Sequence, residues 1–311
     1  MGVAAIKPVV ERAKKDSPIN EAALQELLID IKNRRAEFKK QRHISQDVIE
    51  KLQEIGLYGA FVPEVLGGTP ISPTEFMKII ERISIADGST GWVASFAFST
   101  KYLCSLPEAS LKSIFEGNPG LVFAGATFPI QPAKKVDGGI IVKGRWPFGS
   151  GCMGSSLVAV GVSVPGNGDE VFKQMAVIPR DQITIDETWD TFGMSATGSH
   201  TMVVDDVFVP DDMILLRDAP TSIEAPEYLY PTVTLAAQVL AVCGLGTARA
   251  AIDHIVEIGQ NPSLLRARRH WATVLMYRFI LQNVRQSYNL LGVGFMPRQM
   301  RLGIQLMKLA L

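Results

Sequence analysis

The hydrophobic period of this chain changes twice, and those changes limit what it can fold into. Up to Asn118-Pro119-Gly120, apolar residues recur at the three-to-four spacing of helices. From Leu121 to Val209 they fall in short runs broken by glycine, proline, asparagine and aspartate, and from Pro231 helical spacing returns. A helical block, a β block and a second helical block in series do not build a repeating βαβ sheet. They describe an α+β molecule with its strands gathered in the middle. The expected domains are residues 1–117, 118–225 and 226–311.

In the first block, Leu24, Leu27, Leu28 and Ile31 make one stripe of a helix over residues 20–40. Ser45 is placed to cap a second helix that carries Val48, Ile49 and Leu52 and stops at Gly56. Ser72-Pro73-Thr74-Glu75 has the form of a capping box with proline at the first helical position. Residues 90–106 are apolar nearly all round, which predicts a buried helix, and 107–115 a short surface helix. In the middle block six antiparallel strands are expected, over 121–127, 139–148, 157–164, 172–178, 183–188 and 201–209. They suit a compact barrel or sandwich.

Several function classes are excluded. No run of eighteen apolar residues occurs, so no membrane span is expected, and the N-terminus lacks a secretory apolar region. Cys104, Cys152 and Cys243 match neither metal nor disulfide spacing and the four histidines are isolated, which points to the cytoplasm and to no bound metal. The stretch from Val239 to Gly246 looks like the entrance to a dinucleotide loop. Arg249 stands where its third glycine belongs, and no acid follows at the required distance. Gly193-Met194-Ser195-Ala196-Thr197 lacks the closing glycine of a nucleophile elbow. Net charge is zero but uneven: after Glu257 there is no acid, and eight basic residues run from Arg266 to Lys308. They are interspersed with Leu, Met and Ile, unlike a solvated nucleic-acid-binding block.

A chain without an evident nucleophile, metal cluster or phosphate loop, yet rich in aromatic-glycine loops, leaves the hard chemistry to an organic cofactor. The richest loop follows Gly138. There Trp146 and Phe148 offer faces to a flat ligand, Gly149 and Gly151 let the backbone approach, and Ser150 between them presents a hydroxyl. Two other loops stand out, Ala124-Gly125-Ala126-Thr127-Phe128-Pro129 and the segment from Trp189 to His200.

Further motifs accompany these loops. They are Arg42-His43-Ile44-Ser45-Gln46-Asp47-Val48, Gly56-Leu57-Tyr58, Pro63 with Gly67-Gly68, Glu81-Arg82-Ile83-Ser84 and Asp87-Gly88-Ser89-Thr90-Gly91-Trp92. With them the chain resembles the acyl-CoA dehydrogenase fold: an N-terminal helical domain, a central antiparallel β-barrel and a C-terminal helical bundle. Within that superfamily it is similar to the oxygenase components of two-component flavin-dependent monooxygenases, the group of the bacterial secosteroid phenol and p-hydroxyphenylacetate hydroxylases. The resemblance covers roughly residues 35 to 257.

It implies that a separate flavin reductase supplies reduced flavin (FMN or FAD), that O2 adds at flavin C4a, and that the distal oxygen of the hydroperoxide passes to a small phenolic or aromatic substrate. Ser150 is then the catalytic residue, hydrogen-bonded near flavin N5. Trp92, Gly125, Ala126, Phe148, Gly149, Thr197 and Ser199 bind the cofactor with it. Trp92, Phe128 and His200 line the substrate pocket, which must be apolar and closed to keep water out. A homo-oligomer is implied where the C-terminal bundle is intact, with no partner among nucleic acids or membranes.

The resemblance ends near Gly259-Gln260-Asn261. In this family two long helices follow, which bring tetramer contacts, part of the cofactor site and a histidine base. The acid-free stretch from about residue 262 is expected to be out-of-frame translation of a damaged gene, leaving the bundle incomplete. An inactive fragment or self-associating scaffold is the alternative reading on that ground. An acyl-CoA dehydrogenase proper is a third. It is disfavoured because residues 125–132 replace the Thr-Glu-Pro-x-x-Gly-Ser-Asp loop and no catalytic glutamate can be assigned.

Overall fold

The computed structural model describes residues 18–164, 174–217 and 219–260. The chain divides into two compact units, Met1–Ala248 and Arg249–Leu311. Of the second, residues 249–260 are described; they are helical, with Arg249 Nε donating to Asp253 Oδ1 at 2.8 Å. The acid-free stretch from residue 262, the break at 165–169 and the start of the strand expected at 172 lie outside the described residues.

Helix starts in the first unit follow from their caps. α1 (Glu21–Gln41) begins where Asn20 Oδ1 accepts from the Ala23 N–H at 3.1 Å, and it buries Leu24, Leu27, Ile31 and Phe38. α2 (Gln46–Glu54) begins at Ser45, but the expected side-chain cap is absent. The Ser45 hydroxyl instead donates to Glu37 Oε1 at 2.9 Å and accepts from Gln41 Nε2 at 2.7 Å, so it ties α2 to α1. α3 (Pro73–Ala86) has the expected cap, with the Glu75 N–H donating to Ser72 Oγ at 3.2 Å.

α4 (Gly88–Ser95) starts on Asp87, whose Oδ1 accepts from Thr90 N–H at 2.7 Å and from the Thr90 hydroxyl at 2.9 Å. The single helix expected over 90–106 is instead α4 followed by a 3₁₀ run, Phe96–Ser105. Ser95, Thr100 and Ser105 each donate to the carbonyl three residues back, at 2.7, 3.2 and 3.5 Å, which suits the tighter winding. α5 (Glu108–Phe115) then buries Leu111 and Phe115.

The middle block forms β1 (Phe123–Pro132), β2 (Lys134–Val136), β3 (Gly139–Trp146), β4 (Leu157–Ser163), β5 (Gln174–Pro179), β6 (Thr184–Asp186), β7 (Thr201–Pro210) and β8 (Ile214–Leu216). All six expected runs are strands, and β2 and β8 are short additions. They make two four-stranded sheets, ordered β1-β4-β5-β8 and β2-β3-β7-β6. β1 and β4 run parallel, which corrects the expectation of an entirely antiparallel arrangement. The reason is the path: after β1 the chain crosses to the other sheet for β2 and β3 before it returns beside β1.

The two sheets enclose a core that includes Ile140, Val142, Val158, Val160, Met202 and Val204. The fully buried Trp146 bridges them, its indole N–H donating to the Gly161 carbonyl at 3.0 Å. On its other side the first sheet packs Leu157, Ala159, Val177 and Leu215 against Leu103, Leu111 and Phe115 of the helical block. Its central strands are therefore covered on both faces: every β4 residue before Ser163 and every β5 residue before Pro179 is buried. Past the sheets come α6 (Pro226–Leu229) and α7 (Thr232–Gln260).

The segment Thr232–Glu257 of α7 is long and apolar enough, by length and composition, to cross a membrane. Its Leu235, Val239 and Cys243, however, belong to the core formed with α1, α2 and α3. Gly246 lies so near α3 that a Cβ there would meet Ser84 Cβ at 2.5 Å. Packing against protein accounts for the apolarity of that face.

Gly161 leaves no room for a side chain beside β1, since a Cβ would lie 1.9 Å from the Thr127 carbonyl oxygen. Backbone cannot yield as a side chain does. Gly161→Ala is expected to cost about 1–3 kcal/mol of stability, measured as a lower urea midpoint with an unchanged slope.

Candidate active site

Two of the three loops meet at one hydroxyl. The end of β3 is held to the segment before β7 by Gly149 N–H donating to the His200 carbonyl at 3.0 Å and Gly151 N–H donating to the Thr197 carbonyl at 2.9 Å. Between these bonds Ser150 Oγ lies 2.8 Å from Ser199 Oγ, and Ser199 Oγ lies 2.6 Å from Thr197 Oγ1. Thr197 Oγ1 also reaches the Met194 carbonyl at 3.0 Å. From the helical block, the α4 residue Trp92 donates its indole N–H to Ser150 Oγ at 3.1 Å. Ser150 thus joins a helix, a strand end and a loop that lie far apart in sequence.

Phe148 stands beside it, 67% exposed and with φ of 63°, a left-handed conformation that bulky side chains rarely take. Its carbonyl accepts from the Ser150 N–H at 2.8 Å, and its ring meets Trp189 edge-on with centroids 6.0 Å apart. Trp189 is fixed by its indole N–H to the Met194 carbonyl at 3.0 Å and by its backbone N–H to His200 Nδ1 at 3.1 Å. The whole loop is stapled to the α1–α2 corner by Arg42. Its guanidinium donates to the carbonyls of Glu187 and Trp189, each at 3.2 Å, and to Glu187 Oε2 at 2.9 Å. The Arg42 carbonyl accepts from Gly198 N–H at 3.0 Å. Sequence reasoning singled out the Trp189–His200 loop and the Arg42 motif but gave neither Arg42 nor Trp189 a role, because nothing local marks that Arg42 and this loop, more than 140 residues apart, are partners.

Other expected site residues take different positions. Trp146 is fully buried between the sheets and offers no face to a ligand. Thr197 and Ser199 are buried as well, so their side chains reach the surface through Ser150. His200, expected in the substrate pocket, has no exposed surface, and its Nε2 is buried without a hydrogen-bond partner. Burial holds its imidazole below the ordinary histidine value. Its visible work is to hold the Trp189 backbone.

Gly149 and Gly125 also answer to internal packing. A Cβ at 149 would meet Met202 Cγ at 3.0 Å and the His200 carbonyl at 3.1 Å, and one at 125 would meet the Ala159 carbonyl at 3.1 Å. Gly125, the buried Ala126 and the 64%-exposed Phe128 lie on β1, in the other sheet. Among the described residues no hydrogen bond or ring contact joins them to the Ser150 cluster.

The chemistry on offer is neutral. Ser150 is half-buried, with its oxygen held by Trp92, beside an exposed aromatic face. A fixed hydroxyl oxygen beside an aromatic face fits the polar edge and flat face of an alloxazine ring. A small cavity lined by His43, Ile44, Val93, Met153 and Thr197 has room for about one water molecule. Among the described residues no group of three His, Cys, Asp or Glu is placed to hold a metal ion.

Residues 19–106 match the N-terminal domain of acyl-CoA dehydrogenases. The chain is 47% identical over 223 residues to an indole-3-acetate monooxygenase of Acinetobacter baumannii, a match that covers 71% of this chain and 57% of that one. It is 31% identical over 243 residues to HsaA, the oxygenase subunit of a flavin-dependent monooxygenase of Rhodococcus jostii, covering 75% and 64%. The crystal structure of the HsaA monooxygenase of Mycobacterium tuberculosis aligns with a TM-score of 0.73 and 26% identity, over 93% of this chain and 82% of that one. The fold is acyl-CoA dehydrogenase-like, as the sequence resemblance implied. The chain spans less than two thirds of the length of these curated relatives.

The buried His200 makes stability depend on pH. Its folded-state affinity for protons is below that of the unfolded chain, so unfolding takes up a proton once pH falls below the unfolded value near 6.5. Stability is expected to fall as pH drops from about 7.5 to about 5.5. His200→Asn keeps an acceptor for the Trp189 N–H and removes the titration, so its urea midpoint should fall less over the same range.

Proposed function

We propose that this chain, a homologue of the oxygenase components of two-component flavin-dependent monooxygenases, hydroxylates a small aromatic substrate using reduced flavin from a separate reductase. The observation that carries the reading is the Trp92–Ser150 hydrogen bond beside the exposed Phe148 face. A fixed neutral hydroxyl next to an exposed aromatic face supports binding of a flat cofactor with a polar edge. Bound reduced flavin, with O2, supplies the oxygen atom inserted into the substrate ring.

The chain's own residues then have distinct tasks. Ser150 holds the polar edge of the cofactor, and Trp92 fixes the position of the Ser150 oxygen. Phe148 offers a face to the ring system, and the Arg42 staple holds the loop behind it. For the substrate we favour an indole or phenol ring. An aromatic run flanks the site: Trp92 to Phe96 at 5.7 Å, Phe96 to Phe98 at 6.5 Å and Phe98 to Tyr102 at 5.9 Å between centroids. Such a flank favours an apolar ring and disfavours water, which wastes activated oxygen. Three free thiols, two of them fully buried, suit a reducing compartment such as the cytoplasm.

The test supplies the purified chain with a flavin reductase, FMN or FAD, isotopically labelled O2 and indole-3-acetate or a simple phenol. A product heavier by one labelled oxygen is expected. Ser150→Ala should lower product per reduced flavin by roughly five- to tenfold, the worth of one hydrogen bond to the reacting cofactor, with peroxide released in its place. A chain that binds neither reduced nor oxidised flavin overturns the reading.

A further inference from the structure

The three hydroxyls behind the site have only three protons between them, and their surroundings constrain where those protons go. Thr197 Oγ1 lies 3.0 Å from the Met194 carbonyl, which can only accept, so that bond takes the Thr197 proton. In the 2.6 Å contact between Thr197 and Ser199, Ser199 must then be the donor. In the 2.8 Å contact between Ser199 and Ser150, the proton must come from Ser150. The Trp92 indole N–H occupies one Ser150 lone pair at 3.1 Å. In this inward order every donor is used, and Ser150 has one lone pair left for a ligand. It presents an acceptor.

The opposite order runs Thr197 to Ser199 to Ser150, and turns the Ser150 proton outward. It empties the Thr197 bond to the Met194 carbonyl, which retains Trp189 Nε1–H at 3.0 Å and Thr197 N–H at 3.2 Å. Reversal therefore sacrifices one hydrogen bond, and it is favourable only when the ligand itself supplies an acceptor. Reduced flavin carries an N–H at N5, where oxidised flavin carries a bare acceptor nitrogen. The inward order receives the first at no loss, whereas the second requires reversal.

We propose that Ser199 and Thr197 are positioning residues that set the direction of the Ser150 proton, and that this chain of hydroxyls selects reduced over oxidised flavin. The inference rests on the flavin reading above and adds to it a cause within the protein for redox-selective binding. Neither residue need touch the cofactor; both are buried. The selection is worth one hydrogen bond, about fivefold in the ratio of dissociation constants.

The experiment measures dissociation constants for oxidised and reduced FMN and FAD, anaerobically, for the whole chain and three variants. Ser199→Ala removes the acceptor for the Ser150 proton and should lower the preference for reduced flavin about fivefold. Thr197→Val removes the acceptor of the Ser199 proton, leaves the two orders equal in hydrogen bonds, and should lower the preference by about the same factor. Ser199→Thr keeps a hydroxyl and should restore the wild-type ratio. A merely structural role would weaken both flavins together and leave the ratio unchanged, and that result in Ser199→Ala or Thr197→Val overturns the proposal. Should one of these two fail to fold by circular dichroism, the other decides. If the wild-type chain binds neither form of flavin, the flavin reading fails and the inference with it; binding with an unmoved ratio sinks the inference alone.

Discussion

In the sheet β1-β4-β5-β8 the central strands β4 and β5 are buried on both faces, with the second sheet on one side and the helices Phe96–Ser105 and α5 on the other. That double burial sets the rest of the arrangement. It demands the continuous apolar run of β4, and it allows the parallel pairing with β1, which is stable chiefly where both faces are covered. It also calls for glycine at 161, where a Cβ would run into the Thr127 carbonyl. Trp146 fastens the sheets by a hydrogen bond as well as by its bulk, and so sets where the end of β3 emerges.

What emerges there is Phe148-Gly149-Ser150, and its position is fixed from three sides. The sheet fixes β3, the Gly149–His200 and Gly151–Thr197 bonds fix the segment before β7, and Trp92 fixes the helical block. Each contact is modest, about 1 kcal/mol net for a hydrogen bond of this kind. Their convergence on one oxygen is what gives the site its definition. The left-handed φ of Phe148 is tolerated within the same frame. An exposed ring held in an unfavourable conformation answers no need of the core.

Elements with local causes were legible in the residues. The Asn20 and Ser72 caps, the apolar stripes of α1 and α3, and the six principal strands all follow from patterns a few residues long. Family motifs carried the acyl-CoA dehydrogenase-like fold. Where hydroxyls redirected the backbone, local reading failed: Ser45 bonds to α1 instead of capping α2, and Ser95, Thr100 and Ser105 accompany 3₁₀ winding where an α-helix was expected. The same residue types cap helices elsewhere, and nothing in their near neighbours says which partner wins.

Sequence by itself therefore determined the order of the blocks, most helix starts and the positions of the strands, because periodicity and capping act over one or two turns of chain. Only the tertiary structure decided that Trp146 is core, that His200 holds the Trp189 backbone, and that Thr197 and Ser199 stand behind Ser150. Those roles depend on hydrogen bonds and burial between residues brought together by two packed sheets, and such proximity is written in no local pattern.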